Sequence, residues 1–131
     1  MALGIAAVTR NSMLDQITTR AGASALLRIY SGTRPATGGT ATTLLAELVC
    51  NATFAPAGAG GVLTLNAIAS DVSADATGTA SWFRLVSAGG TNHVLDGDVG
   101  VSASDLNFNS VSFVLGGTVA VTSFTITAGN A

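Results

Sequence analysis

The stretch Thr79-Ala-Ser-Trp-Phe-Arg-Leu-Val-Ser87 decides the fold expected for this chain of 131 residues. Even-numbered and odd-numbered side chains point to opposite faces of a strand, and both sets are largely apolar here, namely Trp82, Arg84 and Val86 against Phe83 and Leu85. A strand that is apolar on both faces is covered on both faces. We therefore predict a central strand over residues 79–87, in a protein built mainly from strands.

Short apolar runs of period two recur on either side of this stretch, separated by turn residues. They predict strands over Leu26–Tyr30, Leu44–Val49, Val62–Ile68, His93–Val99, Leu106–Asn109 and Val111–Leu115, and a last one that starts at Thr125 and ends in a short uncharged tail. About eight short antiparallel strands at regular spacing indicate an all-β fold, a β-sandwich of the jelly-roll type. We expect one domain over residues 1–131, with the sandwich over residues 26–127.

Changes of apolar parity and glycine pairs predict where these strands break and turn. The apolar positions change from even numbers at Phe108 to odd numbers at Val111, which requires a bulge, a bend or a strand break near Asn109-Ser110. The pairs Gly89-Gly90 and Gly116-Gly117 predict tight turns, the second of them in a hairpin between the last apolar runs.

One helix is expected near the start of the chain, over residues 9–22. A single apolar stripe at helical spacing runs along it, made of Met13, Leu14, Ile17 and Ala21. Asn11 or Ser12 can serve as its N-cap, and Gly22 suits the position just after its end. We expect the stripe to pack against the sheet or against a neighbouring subunit.

The composition is poor in charge, which excludes several classes of partner. Charged residues make up 9% of the chain, where about 25% is usual, and the formal net charge is -2. All five basic residues are arginines, so neither a nucleic-acid footprint, nor a polybasic membrane anchor, nor a P-loop is expected. The apolar runs are too short for a membrane-spanning helix, and Met1–Val8 lacks the features of a secretory signal. We expect a protein that stays in the cytoplasm until it assembles.

Few residues are suited to chemistry. Asp96-Gly97-Asp98 resembles part of a calcium loop, but the remaining ligands of such a loop are missing and a turn between strands is favoured. Ser87, His93 and Asp96 can be drawn as a triad, although the strained turn that presents a nucleophilic serine is absent. Cys50 is expected to be a buried, inert thiol. We predict no catalytic residue, no metal, no cofactor and no small-molecule substrate.

The arginines and a few large side chains are the candidates for an interface. Arg28 and Arg84 lie within predicted strands, where they either pair with Glu47 or an aspartate or extend to solvent. Tyr30, Trp82 and Phe54 either anchor an interface or, as is commoner in a small sandwich, fill its core. The candidate interface residues are Met13, Leu14, Ile17, Arg28, Tyr30, Arg34, Glu47 and Arg84.

The order of landmarks along the chain resembles that of small structural proteins of tailed bacteriophages. These landmarks are Leu26–Pro35 (LLRIYSGTRP), Leu44–Glu47 (LLAE), Gly78–Arg84 (GTASWFR), Asp96-Gly97-Asp98 and Thr125–Asn130 (TITAGN). The resemblance runs from about Asn11 to the end of the chain, and its motifs are turn and strand signatures without catalytic residues. Among these proteins, capsid decoration or cement proteins, which are small β-sandwich or jelly-roll modules, are the best candidate.

This resemblance implies a non-enzymatic virion protein, made in the bacterial cytoplasm and bound to the outside of the capsid. Its partners would be the lattice of the major capsid protein and further copies of itself, as a dimer or trimer. Two alternatives stay open. One is another virion part, such as a head–tail joining, tail or fibre protein. The other is a carbohydrate- or cell-surface-binding module, which would need an exposed aromatic platform.

Overall fold

The protein is mainly β, with one α-helix, in a computed structural model that describes residues 4–128. The elements in chain order are α1 (Ala7–Ala21), β1 (Leu26–Ser31), β2 (Thr43–Val49), β3 (Val62–Thr64), β4 (Gly78–Thr79), β5 (Trp82–Val86), a 3-10 turn (Ala88–Gly90), β6 (His93–Gly100), β7 (Leu106–Asn107), β8 (Ser112–Phe113) and β9 (Thr125–Thr127). The tail expected after β9 lies outside the described residues beyond Ala128.

The main sheet has five strands in the order β2-β1-β5-β6-β7 and is curled into a half-barrel. Strand β5 lies in its middle, with Phe83 and Leu85 in the core and Trp82 and Val86 buried on the opposite face. The central position inferred from its two apolar faces is therefore confirmed. Two further pairs, β3-β9 and β4-β8, form small sheets of their own.

Several predicted strand features are corrected. The run 79–87 is two strands, because at Ala80 and Ser81 the chain leaves β8 and joins β1: Ala80 N–H donates to Val111 O and Ser81 N–H to Tyr30 O. Strand β3 ends at Thr64, well before Ile68. Strands β6 and β7 are parallel, whereas only antiparallel pairs were expected. The predicted break near Asn109-Ser110 is present, since β7 and β8 belong to different sheets.

The Gly116-Gly117 turn forms, but the hairpin predicted around it does not. Gly117 N–H donates to Val114 O across a turn in which Gly116 has a φ of 80°. Strand β8 pairs with β4 instead of with the run that follows the turn. By contrast, the turn predicted at Gly89-Gly90 does return β5 to its neighbour β6.

Helix α1 begins four residues before the predicted N-cap, at Ala7, and Ala6 provides no side-chain cap. Asn11 therefore lies inside the helix, where its Oδ1 accepts from Gly61 N–H at 2.8 Å. One turn later Asp15 Oδ1 accepts from Gly58 N–H at 2.7 Å. These two side chains bind the glycine-rich segment 55–61 to the helix. Asn11 therefore accepts a backbone N–H, as a cap residue would, but the donor belongs to a distant loop and not to the helix. Gly22 ends the helix with a φ of 68°, as predicted.

The core lies on the inner side of the curled sheet and is closed by the helix and the small sheets. Leu14 and Ala21 of α1 are buried in it, and Ile17 packs against it. From the other elements it receives Leu27, Ile29, Leu45, Leu48, Leu63, Phe83, Leu85, Leu106, Phe113 and Phe124, among others. The helical stripe thus packs mainly against the chain's own sheet, and Met13 alone of its four members is exposed.

Candidate functional site

A row of four charged residues crosses the outer face of the main sheet at one level. The ladder pairs Glu47 of β2 with Arg28 of β1, Arg28 with Arg84 of β5, and Arg84 with Asp96 of β6. We call these four residues the charge row. The order across the sheet is acid, base, base, acid, so each arginine has a carboxylate on one neighbouring strand and the other arginine on the opposite neighbouring strand.

The ion pairs of the charge row form where neighbouring side chains come closest. Val99 N–H donates to Ser81 O, and this spacing makes Arg84 and Asp96 a non-hydrogen-bonded pair of the ladder. Arg84 Nε lies 2.7 Å from Asp96 Oδ1, and Arg84 also donates from Nη2 to Oδ2 at 3.1 Å. Arg28 Nε lies 2.7 Å from Glu47 Oε2. The pairing considered for both arginines is therefore confirmed.

Asp96 is the most enclosed group of the row. Its side chain is 2% exposed and accepts from Arg84, from the backbone N–H of Gly38 and from His93, whose Nε2 lies 3.0 Å from Oδ1. Burial by itself raises the pKa of the Asp96 carboxyl, but the hydrogen bonds from Arg84, Gly38 and His93 outweigh it and hold the pKa at about 2. Asp96 is thus ionised, and its carboxylate links Arg84, His93 and Gly38 on the outer face.

Asp96, Gly97 and Asp98 lie within β6, so the turn predicted there is wrong. Alternation puts both carboxylates on the outer face, where Arg34 Nη1 lies 3.4 Å from Asp98 Oδ1. Gly97 is needed for packing: a Cβ on it would lie 2.5 Å from the Phe83 ring. The motif resembles a turn because glycine and aspartate favour turns, but here cross-strand partners explain all three residues.

The segment 32–42 covers part of the outer face of the main sheet, and we call it the outer-face loop. Gly38 N–H donates to Asp96 Oδ2 at 3.0 Å, and Trp82 Nε1 donates to Thr42 Oγ1 at 2.9 Å. Beneath the loop the rings of Tyr30 and Trp82 stack with their centroids 4.3 Å apart, and Arg84 Cζ lies 5.2 Å from the centre of the Trp82 ring. Tyr30 and Trp82 are buried, as are all five phenylalanines, so within residues 4–128 no tyrosine, tryptophan or phenylalanine side chain offers an exposed platform for a sugar.

Of the triad considered from the sequence, the fold joins two members. His93 and Asp96 are in contact, but through Nε2, the nitrogen that faces serine in a Ser-His-Asp triad. The Ser87 hydroxyl accepts from Asn92 N–H at 2.9 Å within the β5–β6 turn. Cys50 belongs to the core cluster, and burial raises the pKa of its thiol to about 11. These contacts give each residue a structural role.

The structure divides the predicted interface residues. Arg28, Arg34, Glu47 and Arg84 lie on the outer face in ion pairs within the chain, and Tyr30 lies under the outer-face loop. Leu14 and Ile17 serve the core. Met13 stays exposed at the helix surface.

Two adjacent loops carry exposed apolar side chains that the sequence analysis missed. Ala74 N–H donates to Gly117 O at 2.8 Å and Gly116 N–H to Ala74 O at 2.9 Å, so two loops run side by side. They carry three large exposed aliphatic side chains, which we call the apolar end: Val72, Val114 and Leu115. The sequence signal was Val114-Leu115 directly before a glycine turn, which was assigned to the end of the predicted strand Val111–Leu115.

Within residues 4–128, no three His, Cys, Asp or Glu side chains are grouped so that they could hold a metal ion. In the same part of the chain no helix is both long and apolar enough to cross a bilayer.

Comparison of the chain with protein-family models, with curated proteins and with solved structures finds no match.

Proposed function

We propose that this protein is a non-enzymatic structural component of a phage virion, a decoration or cement protein that binds the outside of the capsid shell. The observation that carries the proposal is the apolar end, in which Val72, Val114 and Leu115 are each more than 60% exposed on two adjacent loops. Covering exposed aliphatic side chains with a partner lowers the free energy of the complex.

The charges of the chain support an uncharged mode of attachment. All five arginines lie within the described residues, and the side chain of each is bound to another group of the same chain. Arg10 donates to Ile5 O and Arg20 donates to His93 O. Arg28, Arg34 and Arg84 form ion pairs, with Glu47, Asp98 and Asp96 in that order. A repetitive lattice needs only modest contacts per copy, because many equal contacts add up over the shell. Neutral surfaces also spare neighbouring copies mutual repulsion.

The resemblance of the landmark runs to phage structural proteins is the second support, and it favours a jelly-roll-type sandwich as the relative of this half-barrel with its two small sheets. We further propose that the protein attaches as a dimer or trimer, with its apolar end toward the major capsid protein. No nucleic acid, membrane or small molecule takes part in this role.

Copy number in purified particles tests the role itself. Quantitative mass spectrometry of the virion should find this chain at an abundance close to that of the major shell protein. A handful of copies per particle would instead assign it to the head–tail joint, the tail or a fibre. Glycan binding by the unaltered protein would favour the carbohydrate-binding alternative.

Two matched variants test the surface. Val114 and Val101 are 64% and 61% exposed and lie in different loops, so Val114→Asp and Val101→Asp place the same charge at equally open sites. We expect Val114→Asp to lower occupancy on stripped particles at least about tenfold, since a buried unpaired charge costs more than 1.4 kcal/mol. Val101→Asp should bind like the unaltered protein. Equal binding by both variants would contradict the assignment of the apolar end.

A further inference from the structure

A groove of about 480 Å³ separates β6 from β9, two strands that belong to different sheets. Its apolar lining includes Phe83 and Phe124, whose rings meet edge to face at 5.3 Å, together with Leu95 and Ile126. Polar residues at its rim are Ser104, Asp105, Asn107, Thr125 and Thr127. None of the lining residues is basic.

Both walls of this groove present unpaired backbone. In the β3–β9 ladder, Leu65 N–H donates to Phe124 O and Ala128 N–H to Gly61 O. The backbone groups of Phe124, Ile126 and Ala128 therefore face β3, and those of Thr125 and Thr127 face away from it, toward the groove. On the opposite wall, Val99 N–H donates to the O of Ser81, directly before β5, so by the same alternation the N–H and C=O of Asp96 point away from β5.

By contrast, backbone groups on the outer edge of β2, at Val62 of β3 and at Asp98 of β6 are covered. On β2, Glu47 N–H donates to the Asp71 carboxylate, while Leu45 O accepts from Asp75 N–H. On β3, Val62 exchanges two hydrogen bonds with Ala59. Farther along β6, Asp98 N–H donates to the Asp105 carboxylate at 2.8 Å. An uncovered edge is a template for a further strand, and proteins normally protect it.

We propose that an extended, uncharged segment of the shell protein inserts between β6 and β9 and adds a strand that pairs with both. This inference rests on the proposed function, and it names a second contact with the shell, in addition to the apolar end. The occupant is an extended segment with both of its edges free, because the groove offers hydrogen-bonding groups on two sides. The folded edge of a second copy offers only one side.

The chemistry of the lining specifies the segment further. Its central side chain is aliphatic, since it faces Phe83 and Phe124. It carries no acidic residue, because Asp105 stands at the rim and no cation lines the groove. A basic residue gains little there, because the Asp96 carboxylate is already bound by Arg84 and that of Asp105 by Asp98 N–H. Threonine and valine in alternation meet these requirements and favour extended backbone.

The probe for this proposal is the peptide acetyl-Thr-Val-Thr-Val-Thr-amide, titrated into the full isotope-labelled chain and followed by amide NMR. The amide signals of Asp96 and Thr127 should shift together, with a Kd of about 1 mM or tighter. The same peptide methylated on both valine nitrogens has lost the donors that face one wall, so it should bind at least about tenfold more weakly.

A pair of proline variants tests the wall from the protein side. Thr125 and Thr64 are partners in the β3–β9 ladder, and neither contributes its N–H to that ladder. Thr125→Pro removes an N–H that faces the groove, whereas Thr64→Pro removes one on the far edge of β3. We expect Thr125→Pro to weaken peptide binding at least about tenfold and Thr64→Pro to leave it unchanged. If Thr125→Pro does not fold, the methylated peptide still tests the same contacts on the unaltered chain.

Three results would overturn the proposal: no shift at Asp96 and Thr127 with about 10 mM peptide, equal binding of the methylated peptide, or equal binding by a folded Thr125→Pro variant. Shifts of both signals with protein concentration alone would assign the groove to a second copy instead. High copy number in virions without peptide binding would leave the decoration role standing and remove this contact alone.

Discussion

At the scale of single residues, burial separates the ion pairs that stabilise the fold from those that do not. The Arg84–Asp96 pair has side chains 12% and 2% exposed, and the Arg34–Asp98 pair has side chains 40% and 60% exposed. Arg84→Ala leaves a buried carboxylate without its cation, so we expect the free energy of unfolding to fall by about 3 kcal/mol. Arg34→Ala should change it by less than about 1 kcal/mol. Urea denaturation measures both, and equal losses would mean that Asp96 does not depend on Arg84.

The acid stability of the protein should also depend on Asp96. Because the pKa of Asp96 is lowered in the folded chain from 3.8 to about 2, the carboxylate stabilises the fold at every pH above about 4. That contribution is lost as the pH falls through the folded pKa. We expect the free energy of unfolding to drop between pH 4 and pH 2, and the Asp96→Asn variant to show a smaller drop. Denaturant titrations at several pH values measure the difference, and parallel curves for the two proteins would refute it.

At the scale of elements, strand β6 has a glycine, Gly97, where the Phe83 ring occupies the space that a side chain would need. Gly97→Ala would place a Cβ 2.5 Å from the Phe83 ring, so we expect a loss of about 2–3 kcal/mol in the free energy of unfolding. Phe83→Leu should cost less in the Gly97→Ala background than in the unaltered chain, since it makes room for the new methyl group. Thermal and urea unfolding of the four proteins completes the cycle, and additive losses would contradict direct contact.

Elements were predictable from the sequence where local pattern and packing agree. The two-faced apolar run of Trp82–Val86 identified the central strand, and Gly22 marked the end of the helix. The pattern failed where a distant partner decides the outcome. Asp96-Gly97-Asp98 is a strand because Arg84, Arg34 and the Phe83 ring meet it there, and none of these contacts is visible in local spacing. Likewise Asn11 resembles a cap residue, although its partner is Gly61 across a loop.

At the scale of the whole molecule, the proposed attachment to a capsid should depend weakly on salt, because each of the five arginines is bound within the chain. Binding to stripped particles should change less than about threefold between 0.05 and 0.5 M NaCl, because apolar contacts are little screened while exposed ion pairs are. Sedimentation of particles with bound protein measures the occupancy at each salt concentration. A loss of tenfold or more would mean that charged contacts hold the protein to its partner.

The candidate site was predictable only in part at this scale. Pairing of Arg28 and Arg84 with acidic residues could be inferred from the shortage of charges, because a buried arginine needs a carboxylate. The alignment of four charges across four strands could not, since it depends on strand order and on the bulge between Ile29 and Tyr30. The apolar end and the groove each combine segments far apart in the chain, and only the folded arrangement brings them together.

The pairing of β3 with β9 has a consequence for how the protein folds. Leu63 meets Ile126, and almost half of the chain lies between them, so a long loop must close before this small sheet forms. Contacts of such high sequence separation slow folding, and all-β domains rich in them fold on a scale of roughly milliseconds to seconds. Until closure, Leu63 and Phe124 have no cover, and the chain is most exposed to aggregation. Stopped-flow refolding should therefore show the β1–β5–β6 core forming first and this sheet last.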